Sequence, residues 1–138
     1  MNAPVYTTDI LRLAASLNPP HALGRIDGTA ELRAPTCGST IATEVMIEDG
    51  RVAGLSQTVA ACAFGQASAA LVEQSAMGRD RDFISGALGD LAAWLDGTRD
   101  DPGCWPGLEA LAPARPKTGR HGAILLPFRV LLAAMDDC

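Results

Sequence analysis

Basic residues are scarce in this 138-residue chain, 11 Lys and Arg against 16 Asp and Glu, for a formal net charge of −5 and a pI near 4.8. Phosphate backbones and anionic lipid call for a concentrated basic face, so nucleic acid and membrane surfaces are not expected partners. Long apolar runs are missing as well. None reaches the roughly 18 residues of a bilayer-spanning helix, and residues 1–6 have neither the basic nor the apolar stretch of a secretion signal. The expected location is cytoplasmic. There is also no C-x-x-C pair. Cys37, Cys62, Cys104 and Cys138 stand far apart, so the local knuckle of a zinc finger is absent and any shared site has to be assembled by the fold. In a reducing compartment four such cysteines are thiols or metal ligands rather than disulfides. No repeat and no low-complexity tract is present. Nor is there the Ser/His/Asp ordering, carboxylate pair or phosphate-cradling glycine loop of an independent enzyme.

What is present is a chain with 48% hydrophobic and 20% charged residues, suited to one globular domain over 1–138 with a substantial core. In residues 8–17, Ile10, Leu13, Ala14 and Leu17 recur at helical spacing, and Asn18-Pro19-Pro20 ends the pattern. Apolar residues then alternate through 28–33 and 40–48, as half-buried strands require. Asp49-Gly50 is a hairpin signal, with glycine supplying positive φ, and predicts a third strand from 51 to about 60.

After Cys62 the small residues Ala63, Gly65, Ala67, Ser68, Ala69 and Ala70 predict a closely packed helix ending near Met77-Gly78, with Cys62 at its N-terminus. Phe83, Ala87, Leu88, Leu91, Ala92 and Leu95 share one face of the next helix, for which Asp82 is the expected cap and Gly97 the stop. Residues 98–118 are rich in Pro, Gly and charge and predict a loop with one helical turn near 105–111. Residues 122–135 form a strongly apolar helix in which Pro127 either kinks the helix or marks a late start. A helix, a three-stranded antiparallel meander and then further helices give an α+β fold, a sheet covered on one face by several α-helices.

Three segments resemble the iron–sulfur cluster assembly scaffolds of the IscU, SufU and NifU N-terminal type. "APTCGSTIATEVMIEDGRV" is similar to that family's N-P-x-C-G-D followed by a strand and an acidic-Gly turn. "AACAFGQASAALV" resembles its G-C-A-x-S-x-A-S-x-S motif at a helix start. "GRHGAILLPFRVL" resembles the R-x-K/H-C-A segment that opens its last helix. Cys62 follows Cys37 by 25 positions, in the family's order. The resemblance implies an IscU/SufE-like fold in which three cysteines and an aspartate hold zinc or a transient iron–sulfur cluster. Carried over residue by residue, Cys37 and Cys62 match the first two cysteines and His121 the histidine before the third. Ser39 stands at the aspartate position and Gly122 at the third cysteine. The implied metal set is therefore Cys37, Cys62 and His121, completed by Ser39, water or another cysteine.

Thiolates are the soft ligands that iron–sulfur clusters and zinc favour, and a cysteine at a helix N-terminus ionises more readily. The resemblance makes Cys62 the candidate persulfide acceptor and a cysteine desulfurase and apo-protein acceptors the partners of a monomer or weak dimer. It implies a carrier rather than an enzyme. The alternative is a divergent member that has lost metal binding and serves as a protein-interaction adaptor. A nucleophilic enzyme using Cys62 with His121 as base ranks third. Cys104 and Cys138 are expected to be small buried hydrophobes, with two alternatives for Cys138 as the last residue: flexible, exposed and reactive, or carried by a tail that folds back to supply the third thiolate. The alanine-rich stretch after Cys62 reads as tight packing, the acidic cluster 96–101 as a solvated loop, and His21 as a loop residue.

Overall fold

Alternation of apolar and polar residues, broken by one Asp-Gly pair, organises the first half of the chain. A computed structural model describes residues 6–35 and 37–138. The expectation drawn from residues 1–6 therefore lies, Tyr6 apart, outside the described residues. Helix α1 (Thr8–Ser16) leads into strands β1 (Gly28–Arg33), β2 (Thr40–Glu48) and β3 (Arg51–Ala60). They form an antiparallel sheet in the order β1-β2-β3. Asp49 and Gly50 both take positive φ, 53° and 75°, the backbone a two-residue hairpin needs to match the twist of its strands. The residues that alternate inward, Ile41, Thr43 and Val45 on β2, are buried.

Helices α2 (Ala63–Ser75), α3 (Arg81–Leu95) and α4 (His121–Asp136) follow. Helix α4 packs on β1 and β2 while also touching α2 and α3, and α1 packs on α2. The fold is thus the expected α+β arrangement, with helices against the sheet. The small residues after Cys62 do serve close packing. Ala67, Ala69 and Ala70 are fully buried, and a Cβ on Gly65 would lie 2.7 Å from the Ala61 Cβ. Among the described residues, no helix is long and apolar enough to cross a membrane.

Three local expectations are corrected. The cap of α3 is Asp80, not Asp82: the Asp80 carboxylate accepts the Phe83 N–H at 2.8 Å. Asp82 instead lies inside the first turn, where its charge suits the helix dipole. Pro127 is not a late start, since α4 begins at His121 and carries the proline in its interior. Cys104 is exposed rather than buried, in a bend that holds its backbone at the surface, and Cys138 takes the exposed alternative. The segment after α3 is the expected loop, with a 3-10 helix at Leu108–Ala114, and its Trp105 is 1% exposed.

Trp105 ties these layers together. Its Nε1 donates to the Leu71 carbonyl of α2 at 2.9 Å, and its ring meets Phe128 of α4 edge-on at 5.1 Å between centroids. Trp105→Ala is expected to cost about 3–5 kcal/mol of unfolding free energy, read from the urea midpoint. A cost below about 1 kcal/mol, the range of an ordinary surface change, would show that the tryptophan does not join the layers.

Candidate metal and sulfur site

The pairing of Thr40 with Ala60 closes one end of the β2–β3 ladder. Cys37 comes three residues before Thr40 and Cys62 two residues after Ala60, so the two cysteines leave the same end of the sheet. The first turn of α4 comes to the same place. A Cβ on Gly122 would lie 3.5 Å from the Ala34 Cβ, and Ala123 stands against Gly65 of α2. The Ser68 hydroxyl donates to the Ile124 carbonyl at 2.6 Å and fixes α2 to that turn. Three segments distant in sequence thus converge, two of them carrying a thiol and the third a glycine.

Cys37 is half-buried and packs on a small apolar cluster of Ala34, Ile41, Leu126 and Val130. The turn that holds it is closed by Ala34 N–H donating to the Ser39 carbonyl and Gly38 N–H donating to the Ala34 carbonyl, with Gly38 at φ 73°. Ser39 is buried and its Oγ lies 3.1 Å from the Cys37 Sγ. Burial by itself would push the Cys37 thiol up. Hydrogen bonds from the Ser39 side chain and backbone and from Cys37's own N–H, with the charge of Arg120, outweigh it and bring the thiol below its ordinary pKa. The Arg33 guanidinium also reaches this turn, 3.5 Å from where a Cβ on Gly38 would stand. Cys62 is the N-cap of α2, half-buried, with no side-chain capping bond.

Neither His121 nor Cys138 joins the two thiols in a metal-ligating group. His121 opens α4, but its Nε2 is 3.0 Å from the Ala114 carbonyl and 2.9 Å from the Arg115 carbonyl. Two carbonyl partners require Nε2 to carry the proton, so that nitrogen cannot ligate a metal in this arrangement. Cys138 lies at the opposite end of β1: a Cβ on Gly28 would be 2.9 Å from its Sγ. Its thiol is pushed up by partial loss of solvent around the sulfur and by the charges of Asp27, Asp137 and Asp136. Six residues of strand, roughly 17 Å, separate Gly28 from the Cys37 turn, so the tail does not supply the missing thiolate. Among the described residues, no three His, Cys, Asp or Glu side chains gather as a metal-ligating group. Two thiolates and a neutral hydroxyl fall short of the three or four ligands that zinc or iron takes, so the donor set of one chain does not fit a complete metal site.

Arg33 and Arg120, the cationic flanks of Cys37, were not picked out by sequence reasoning. Arg120 was visible as the residue before His121, whereas the position of Arg33 depends on the Gly38 turn. Because the Ser39 hydroxyl donates to the ionised Cys37, Ser39→Ala should move the pH midpoint of Cys37 alkylation by iodoacetamide upward. The rate at neutral pH should fall with it. An unchanged midpoint would remove Ser39 from the account of Cys37 reactivity.

No protein-family model and no curated protein matches this sequence. Solved structures do. An N-terminal NifU-like nitrogen-fixation protein from Brucella abortus superposes with a TM-score of 0.89 at 25% identity, over 96% of this chain and 93% of that one. A protein from Fervidobacterium islandicum AW-1, described as an iron–sulfur cluster assembly scaffold for the SUF system, gives a TM-score of 0.81 at 15% identity, over 95% and 96% of the two chains. A hypothetical protein gives 0.69 at 18% identity, over 93% and 96%. The last two likenesses concern the fold alone. With its meander, its covering helices and these neighbours, the chain has the scaffold fold of the IscU, SufU and NifU N-terminal type.

Proposed function

We propose that this protein is a carrier in iron–sulfur cluster assembly, receiving sulfur on the Cys37 and Cys62 thiolates and passing sulfur or a nascent cluster to apo-proteins. The observation that carries the reading is the convergence of both thiols at one end of the β2–β3 ladder in this scaffold fold. Its partners are a cysteine desulfurase and apo-protein acceptors, and its place is the cytoplasm. In the sulfur step a thiolate of the pair attacks the terminal sulfur of the donor's persulfide. The donor S–S bond breaks, its electron pair leaves on the donor thiolate, and a new S–S bond forms on the carrier. No oxidant or reductant is consumed. Cys62, at the head of α2, is the acceptor position the resemblance points to, and the Ser39-supported thiolate of Cys37 is its neighbour.

A second reading, an adaptor without cluster chemistry, is favoured by the glycine at 122 and by the His121 nitrogen committed to backbone carbonyls. Incubation with a cysteine desulfurase and cysteine, followed by alkylation and peptide mass spectrometry, separates the two. The carrier reading expects persulfide sulfur on Cys62 or Cys37, abolished in the Cys37→Ala/Cys62→Ala double variant. Persulfide confined to Cys104 and Cys138, or none at all on a folded protein, leaves the adaptor.

A further inference from the structure

We infer that the Cys37 turn takes sulfur directly from small persulfides that carry carboxylates, with Arg33 and Arg120 selecting the anionic donor. This rests on the carrier reading above and names for it a substrate class other than a protein. The Nη2 of Arg33, an exposed residue at the end of β1, lies 3.5 Å from where a Cβ on Gly38 would stand. Arg120 is close enough for its charge to act on the Cys37 sulfur. It is also the N-cap of α4, whose unpaired first N–H groups add to the positive potential. Neither arginine has a carboxylate partner among the described residues. Asp27 and Glu48 pair with Arg25, Asp136 with Arg81, and Asp90 and Asp101 with Arg99. In a chain of net charge −5, two guanidinium groups thus meet at one thiol and neither is neutralised by an ion pair.

A carboxylate is the group such a corner fits, because a guanidinium presents parallel N–H donors to its two oxygens. The corner is open rather than enclosed, since Pro35 and Arg33 are exposed and Cys37 is half-buried. Selection is therefore made by charge at the encounter, and it shows in the rate of sulfur transfer rather than in a tight complex. Screening limits the reach of each charge to about 10 Å at 0.1 M salt, so the two arginines outweigh acidic residues farther off. In the reaction the Cys37 thiolate attacks the terminal sulfur of a donor R–S–SH. A new S–S bond forms on Cys37 as the donor S–S bond breaks, the electron pair leaves on R–S⁻, and the proton of the transferred sulfur passes through solvent to that thiolate. No oxidant or reductant is consumed. The product persulfide is an anion held beside the same two cations.

The test supplies the reduced full chain with two donors in turn, glutathione persulfide, which carries two carboxylates, and the persulfide of 2-mercaptoethanol, which carries none. Timed alkylation and peptide mass spectrometry locate the sulfur and give its rate, each donor being scaled by its rate on an uncharged cysteine peptide. The wild type is expected to load Cys37 first and to favour the glutathione donor about tenfold, the worth of a hydrogen bond to a charged group. That preference should shrink at about 1 M salt. It should fall toward unity in Arg33→Gln/Arg120→Gln, with Arg33→Lys/Arg120→Lys restoring part of it. The salt dependence, read on the wild type alone, decides the matter if the double variant does not fold.

Equal scaled rates on the wild type would overturn the inference. So would a preference that neither salt nor the glutamine variant reduces, or first loading at Cys62 or Cys104. If a cysteine desulfurase loads the thiols alongside any of these results, the carrier stands and only the small donor fails. Selective loading by glutathione persulfide with none from a desulfurase would keep this inference and remove the protein donor from the carrier reading.

Discussion

The register of β2 on β3 is the constraint on which the site depends. Cys37 and Cys62 have no direct contact in sequence, and they share one end of the molecule because Thr40 pairs with Ala60. That pairing is set at the other end of the hairpin, where Asp49 and Gly50 fix a two-residue turn. A slip of one residue would turn Ile41 and Val45 from the core toward solvent, at a cost of several buried side chains. The irregularity between Met46 and Ile47 is absorbed near the turn, so the ladder from Val45 to Thr40 keeps its alternation up to the cysteines.

The third wall of the site is placed by packing of small residues rather than by pairing. Gly65 has no room for a Cβ against Ala61, and Ala123 of α4 fills the space beside it. Pro127, lacking an N–H, leaves the Ala123 carbonyl without its usual helical donor, and this carbonyl faces Gly65. One turn along, Ser68 bonds the Ile124 carbonyl. The alanine and glycine content that looked like packing in the sequence is therefore also what brings the start of α4, and with it Gly122 and Arg120, to the two thiols.

Much of the fold was legible because its signals are local. The three strands, the Asp-Gly turn and the helices follow from periodicity and turn chemistry, and the strands run over 28–33, 40–48 and 51–60 as expected. The failures were of two kinds. Asp80 and Asp82 are both plausible caps by composition, and only the backbone at Asp80, extended at ψ 173°, decides between them. Cys104 is surfaced by its own bend, and the ring of His121 is set by the irregular segment just before it. The carbonyls of Ala114 and Arg115 that hold His121 lie at the end of a 3-10 segment whose path no periodicity announces. Of the site, the two thiols and the segments bearing them were readable. Ser39 as a partner of Cys37 was not, because its expected role was that of a ligand.

The two departures at the site act together electrostatically. Serine where the resembled scaffolds have aspartate, and glycine where they have cysteine, each remove an anionic ligand. Arg33 and Arg120 remain beside Cys37. In a chain of net charge −5, this end of the sheet is therefore locally cationic around its thiols. Such a surrounding stabilises a thiolate or a persulfide anion, and it disfavours a bare metal cation held by too few anionic donors. The ligand losses and the nearby arginines thus point the same way, toward surroundings that suit anionic sulfur better than a metal cation.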